Sequence, residues 1–261
     1  MSLVIATDLD GTIAFDNRRP DRLIRAVLSR LVFGYDARLV VATARSPRVL
    51  EAWFGSLGPF ISGVCCNGAL VSEGGREVHR AALLPELVRE VALALGAVDA
   101  AFCLDYGDGF VESRPGALPW MGERARRAMP EGGPRLDGVV KLCVADGAGR
   151  APELTALAGG RAEVFPHATG DADVVAAGTN KANGLARILA DDDVVLALGN
   201  DLNDLELLRS ADRAVVVGTG LPGIERLGHV VRTPADIGRI AATLMSEARG
   251  LAPWMPRARL A

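Results

Sequence analysis

The chain has 261 residues, enough for one large domain or two small ones around a core of ordinary size, which excludes a disordered polypeptide. Its 29 Lys and Arg against 32 Asp and Glu leave a formal charge of -3 and a pI near 5.7, not the basic balance that binding to nucleic acid requires. Apolar residues make up 49% of the sequence, but no run approaches the roughly eighteen needed to cross a bilayer, so a soluble, cytoplasmic protein with neither nucleic acid nor membrane as partner is expected.

Leu3 to Thr7 is a short apolar run ended by Asp8 and reads as a buried parallel strand. Pro20 opens an amphipathic helix with Leu23, Ile24, Val27, Leu28 and Leu31 on one face and Gly34 just past its end. Leu39 to Ala42 is a second buried strand, Ser46 and Pro47 form the N-cap and first turn of a helix through Phe54, and Ile61 to Cys66 is a third strand. From about 72 to 170 the pattern changes to hairpin-like strands (Ala101 to Leu104, Phe110 to Ser113, Val139 to Val144) with helices near 85–95 and 118–129. Gly107-Asp108-Gly109 marks the turn of the first hairpin. After Ala177 strand and helix alternate again: a helix over 181–190, a strand Val194 to Leu198, a helix to about Leu208, a strand Ala214 to Val217 and a closing helix from Ala235. Such alternation predicts an α/β fold, a Rossmann-like parallel core made of residues 1–71 and 171–261, with an α+β domain over 72–170 inserted between its halves.

The first strand ends in D-L-D-G-T at 8–12. Period 2 puts Asp8 and Asp10 on one side of the strand end, and Gly11 lets the backbone turn sharply beside a ligand. Two carboxylates so close need a cation or a proton, a division of labour that acid–base chemistry uses. Asp8, Thr43 and Gly199 each follow a predicted strand, and open α/β sheets bind ligands beyond the carboxyl ends of their strands. Lys181 opens a helix, where a cation opposes the macrodipole; a phosphate nearby would explain it.

Other signals point to structure. Cys65, Cys66, Cys103 and Cys143 have the spacing of neither a disulfide framework nor a zinc site; Cys65 and Cys66, in an apolar stretch, read as buried structural thiols, and a reducing compartment is expected. G-T-G-L-P-G at 218–223 matches a dinucleotide fingerprint, but only about eleven residues precede the next apolar pair, Val230-Val231, too few for a crossover helix, so a tight glycine turn is preferred. Arg124, Arg126 and Arg127, with Trp120, read as a solvated helix face, His79 and His167 as ordinary polar residues, and Asp191 to Asp193 as a turn. Pro253 to Ala261 shows no periodicity and is expected to be loosely held.

Taken together the motifs resemble those of haloacid dehalogenase superfamily phosphatases with the type IIB cap, the Cof-like subfamily. The first motif is Asp8, Asp10, Gly11 and Thr12; the second is Thr43 in V-V-A-T-A-R; the third is Lys181 in G-T-N-K; the fourth is G-N-D-L-N-D at 199–204; and C-C-N-G-A at 65–69 is similar to the signature leading into this cap. The resemblance implies a Mg2+-dependent phosphatase acting on a small phosphorylated metabolite, of the sugar phosphate or nucleotide class. It makes Asp8 the nucleophile and Asp10 the general acid and base. Thr43, Lys181 and Asn203 would then bind the phosphate, and Arg45 and Asn67 the substrate. Asp8, the Asp10 carbonyl, Asn200 and Asp204 would hold the metal. The family usually carries G-D-x-x-N-D; here Asn200 takes the first acidic position, and one negative charge is lost unless Asp201 or Asp204 supplies it. Trp120, Arg114 and Lys141 are unranked candidates for specificity in the cap. A phosphomutase, and a weakly active or inactive phospho-ligand binder, stay open as alternatives, as does the oligomeric state.

Overall fold

The run Leu3–Thr7 is β1, buried along its whole length, in a computed structural model that describes residues 2–251. The first half continues with α1 (Arg22–Tyr35), β2 (Arg38–Ala42), α2 (Arg48–Phe54), β3 (Ile61–Cys65), β4 (Leu70–Glu73) and β5 (Arg76–Arg80). Then come α3 (Pro85–Ala97), β6 (Phe102–Asp105), β7 (Phe110–Glu112), β8 (Lys141–Val144), α4 (Ala151–Ala158), β9 (Ala162–Pro166) and β10 (Ala172–Ala176). The chain ends with α5 (Lys181–Ala186), β11 (Val194–Gly199), α6 (Leu205–Ser210), β12 (Arg213–Val217), β13 (Val230–Thr233) and α7 (Ile237–Leu251).

Eight strands form one sheet in the order β13-β12-β11-β1-β2-β3-β4-β5, parallel from β13 to β3 and antiparallel over β4 and β5. Its central strands read as continuous apolar runs because helices cover both faces. Leu3, Ile5, Leu39, Val41, Leu196 and Leu198 pack with α1 and α7, while Val4, Ala6, Val40, Ala42, Val195 and Ala197 pack with α5 and α6. Successive residues therefore alternate between two cores, as a strand of period 2 requires. The doubly wound core expected for an α/β chain is the one observed.

A second sheet, β7-β6-β8-β10-β9, is antiparallel, and α3 and α4 bury Leu87, Val91, Leu95 and Leu154 against Leu104, Leu142, Val144 and Val174 on one of its faces. The opposite face carries Cys103, Cys143 and four buried charged residues, Asp105, Glu112, Lys141 and Asp173. Burying charge on a sheet face is unfavourable unless each charge is paired: Lys141 pairs with Asp173 and Glu112 with Arg126, Asp105 pairs with Arg48 from the first sheet's half, and Lys141 and Asp173 also hydrogen-bond to its loops, as described below.

Several expectations change. β4 and β5 belong to the larger sheet and β10 to the smaller, so the chain passes between sheets after Arg80 and after Ala176, rather than near 72 and 170. The exposed, charged β5 carries no apolar alternation that would reveal it. The helix over 118–129 is absent: Pro119–Met121 and Glu123–Ala125 are single 3-10 turns interrupted by Gly122 at φ 80°. Arg126 instead bridges to Phe110 of β7 and pairs with buried Glu112 at 2.7 Å, so it lies on no solvated helix face. Leu23 is exposed, and Tyr35 takes its place in the buried stripe of α1. Pro253 to Ala261 lies outside the described residues. Among those described, no helix is long and apolar enough to cross a membrane.

Candidate active site

Loops leaving β1, β2, β3 and β11 meet at the carboxyl edge of the larger sheet, joined by the start of α5. Asp8 directly follows β1 and is 5% exposed. Lys181, the first residue of α5, is 1% exposed and sends Nζ to Asp8 Oδ1 at 2.7 Å and Asp204 Oδ1 at 2.6 Å. The helix begins there because Asn180 caps it, its Oδ1 accepting the Asn183 N–H at 2.8 Å. Burial pushes the Asp8 carboxyl up to about 7 against the pull of Lys181, with Asp204 adding to the rise. Burial also disfavours the Lys181 ammonium, but Asp204 and Asp8 outweigh it and hold its pKa above the usual lysine range.

Asp204 was expected among the metal ligands, and its geometry speaks against that. Oδ1 accepts from Lys181, and Oδ2 accepts the backbone N–H groups of Asn200 at 2.9 Å and Asp201 at 3.1 Å. The carboxylate is fully buried and committed to shaping the β11 loop. Asp201 closes a capping box with it.

The Asn200 side-chain amide reaches between the loops. With its nitrogen turned inward it donates to Thr12 Oγ1 at 2.8 Å, the Asp10 carbonyl at 2.9 Å and Asp8 Oδ2 at 3.2 Å. Three oxygens converging on one point are a hard-donor set that suits Mg2+. With the amide oxygen inward, Thr12 Oγ1 donates to it at 2.8 Å, while the Asp10 carbonyl and Asp8 Oδ2 face it as further acceptors, an arrangement that a cation would stabilise. Asp8, the Asp10 carbonyl and Asn200 therefore fit the ion, although among the described residues no group of three or more His, Cys, Asp and Glu side chains is placed to hold a metal.

Asp10 is exposed, and Arg45 grips its carboxylate through Nε at 2.6 Å and a terminal nitrogen at 2.8 Å. The guanidinium stacks 4.4 Å from the Trp53 ring centroid and also donates to Asn17 Oδ1 at 2.5 Å. Arg45, expected on substrate, is thus engaged by the residue expected to act as acid and base. Thr43 is buried; its Oγ1 accepts the Arg45 N–H at 3.0 Å, and its carbonyl accepts the Asn67 N–H at 3.0 Å.

Asn67 is fully buried in the left-handed region, φ 56°, within the turn after β3. Its Nδ2 donates to Asp173 Oδ2 at 3.0 Å, and its Oδ1 accepts from Asn203 Nδ2 at 3.0 Å. Gly68 follows at φ 100°, where a Cβ would stand 2.2 Å from the Asn180 carbonyl, so only glycine lets this turn lie against the start of α5.

The smaller sheet reaches this edge through Lys141, one of the specificity candidates, and through Asp173, His167 and Asp105. Lys141 Nζ donates to the Ala44 carbonyl at 2.8 Å and pairs with Asp173 at 3.3 Å. His167, expected as ordinary polar surface, places Nε2 3.0 Å from Asp173 Oδ2. Burial would raise the Asp173 carboxyl, but Lys141 and His167 outweigh it and bring it down to about 2. Asp105 takes the Ser46 hydroxyl, which therefore does not cap α2, and Arg48. Of the three specificity candidates only Lys141 touches the core loops in this way; Arg114 pairs with Asp99, both exposed, and Trp120 is partly exposed on its 3-10 turn. The G-T-G-L-P-G segment is a tight turn: Gly220 lies where a Cβ would be 2.2 Å from the Asn200 carbonyl, and it buttresses the β11 loop.

The family model described as haloacid dehalogenase-like hydrolase matches residues 5–116 and 151–241, well over half of the chain. No curated protein matches it significantly. Among solved structures, a Streptococcus mutans UA159 protein superposes with a TM-score of 0.80 at 18% identity, covering 95% of this chain and 99% of that one. A HAD subclass IIB sugar phosphatase, BT4131, gives 0.78 at 16% identity over 94% of this chain and 99% of its own. A Thermotoga maritima protein gives 0.72 at 16% identity, covering 94% and 97% respectively. The resemblance read from the motifs thus has a counterpart in the whole fold, smaller sheet included.

Proposed function

The chain belongs to the haloacid dehalogenase-like hydrolases, and from that premise we propose that it is a Mg2+-dependent phosphatase cleaving a small phosphate monoester through a phosphorylated Asp8. The observation that carries this reading is the buried Asp8 carboxylate held 2.7 Å from Lys181 at the end of β1.

An Asp8 carboxylate oxygen attacks phosphorus, the bond from phosphorus to the ester oxygen breaks, and Asp10 gives that oxygen a proton, releasing the alcohol. Water then attacks phosphorus, Asp10 takes its proton, the bond to Asp8 breaks, and inorganic phosphate leaves. Lys181 offsets the approach of a dianionic ester to Asp8, and Thr43 and Asn203 donate to phosphate oxygens. The ion, when bound, supplies further positive charge to the transferring group, and Asp8, the Asp10 carbonyl and Asn200 would hold it. For Asp10 to serve the leaving group, Arg45 must release at least one carboxylate oxygen, and the incoming phosphate is the competing anion.

The substrate class we assign is sugar phosphates or nucleotides, and likeness to a subclass IIB sugar phosphatase supports the sugar end of that range. Four buried free cysteines support a reducing, cytoplasmic setting. Asn200 favours one second reading, a phospho-ligand binder with little turnover, because the amide brings no charge to the metal. Phosphate release from a panel of phosphorylated metabolites, with and without Mg2+, separates the two: Mg2+-dependent release from at least one ester is expected, and ligand binding without release would favour the second.

A further inference from the structure

A carboxylate can only accept hydrogen bonds, whereas an amide presents a donor on one side and an acceptor on the other. Asp173 Oδ2 therefore compels Asn67 to offer Nδ2, at 3.0 Å, which turns Asn67 Oδ1 toward Asn203. That oxygen in turn compels Asn203 to offer its own Nδ2, at 3.0 Å. The direction of both amides is thus set from one end of the chain, and that end lies on β10 of the smaller sheet. Asn67 and Asp173 are 0% and 1% exposed, so water has little access to reverse them. Lys141 and His167 hold the carboxylate in place from its other sides.

We propose that Asp173 is a positioning residue for the phosphate site: by fixing the direction of the Asn67 amide, and through it that of Asn203, it completes the site only when the cap is seated on the core. An amide nitrogen carries two hydrogens; one of Asn203 goes to Asn67, and the other is assigned to a phosphate oxygen. The inference rests on the reading that Asn203 faces phosphate, and does not require turnover. It distinguishes Asp173 from a residue that merely fastens the two sheets together, because a fastening contact alters stability and leaves the affinity for an anion bound by the core unchanged.

The test is binding of inorganic phosphate to the full chain, measured by calorimetry with Mg2+ present, for wild type, Asp173→Asn, Asn203→Ala and the double variant. Asp173→Asn is nearly isosteric but lets both amides reverse, and about tenfold weaker binding is expected, the loss typical of one hydrogen bond to a charged group. Asn203→Ala should cost a similar factor, and the double variant should bind no more weakly than Asn203→Ala alone, because the two act through one chain of contacts. Should Asp173→Asn fail to fold with Lys141 left unpaired, Asp173→Asn/Lys141→Met removes both charges together and carries the same expectation. Binding within about twofold of wild type in a folded Asp173 variant, or a double variant that multiplies the two losses, overturns the proposal. Hydrolysis of an aryl phosphate by the wild type is a separate reading: a chain that binds phosphate in an Asp173-dependent way yet hydrolyses nothing keeps the relay and overturns the phosphatase.

Discussion

A lysine in the first turn of a helix faces the positive end of the macrodipole, yet Lys181 is buried there because its ammonium stands 2.7 Å from Asp8 and 2.6 Å from Asp204. Removing it leaves two buried carboxylates without a counter-ion, and breaking such a pair typically costs about 3–5 kcal/mol. Lys181→Met should therefore lower stability by that order in denaturant melts and remove hydrolysis; full stability would mean that the carboxylates do not depend on it. Asn200 tests the metal. Asn200→Asp exchanges an amide donor for a third carboxylate beside Asp8 and Asp10, so the variant should melt lower than wild type in a chelator and bind Mg2+ roughly tenfold more tightly by calorimetry, as one added charged ligand implies. Unchanged affinity would remove Asn200 from the ligands. Asp8, Thr43 and Lys181 are legible in the sequence because each lies beside a strand or helix end that the hydrophobic pattern marks. Asp173 and Asp105 are not, since an acid inside a short strand looks like a polar outer face until the opposing loops are known.

The turn at 66–68 couples elements that are far apart in sequence. It ends β3, carries Asn67, and lets Gly68 touch the carbonyl of Asn180, the residue that caps α5 and precedes Lys181. A Gly68→Ala side chain would meet that carbonyl at 2.2 Å with the backbone at φ 100°, so either the turn or the start of α5 must shift. Strain and overpacking together should cost roughly 2–4 kcal/mol, with a rise in KM as Lys181 moves; a variant as stable and active as wild type would show that the contact is slack. Elements buried on both faces, such as β1, β2 and β11, stand out as apolar runs. β5, with its charged and exposed sequence, and the 118–129 segment, broken at Gly122, do not, because their conformations depend on neighbouring strands rather than on local periodicity.

Across the whole molecule the two sheets meet through polar contacts as well as apolar packing: Lys141 donating to the Ala44 carbonyl at 2.8 Å, Asn67 donating to Asp173 at 3.0 Å, Arg48 pairing with Asp105, and Asp201 accepting the Ala168 N–H at 3.4 Å. Asp173 is held near 2 by Lys141 and His167 against burial, below the ordinary carboxylate value, so its contribution is present above about pH 4 and is lost as pH falls toward 2. The lowering corresponds to about 2 kcal/mol. The stability difference between wild type and Asp173→Asn should accordingly narrow between pH 4 and 2 in denaturant melts; a constant difference would mean that the charge is not what stabilises the seam. The proposed function places phosphoryl transfer at the core loops that line this seam. That central claim is tested most directly by quenching the enzyme in acid during turnover of a reactive phosphate ester with Mg2+ and mapping the modified peptide by mass spectrometry. The account predicts one phosphoryl group on the peptide containing Asp8, absent in Asp8→Asn. Ester hydrolysis with phosphate on another residue, or an Asp8→Asn variant that still turns over, would contradict it.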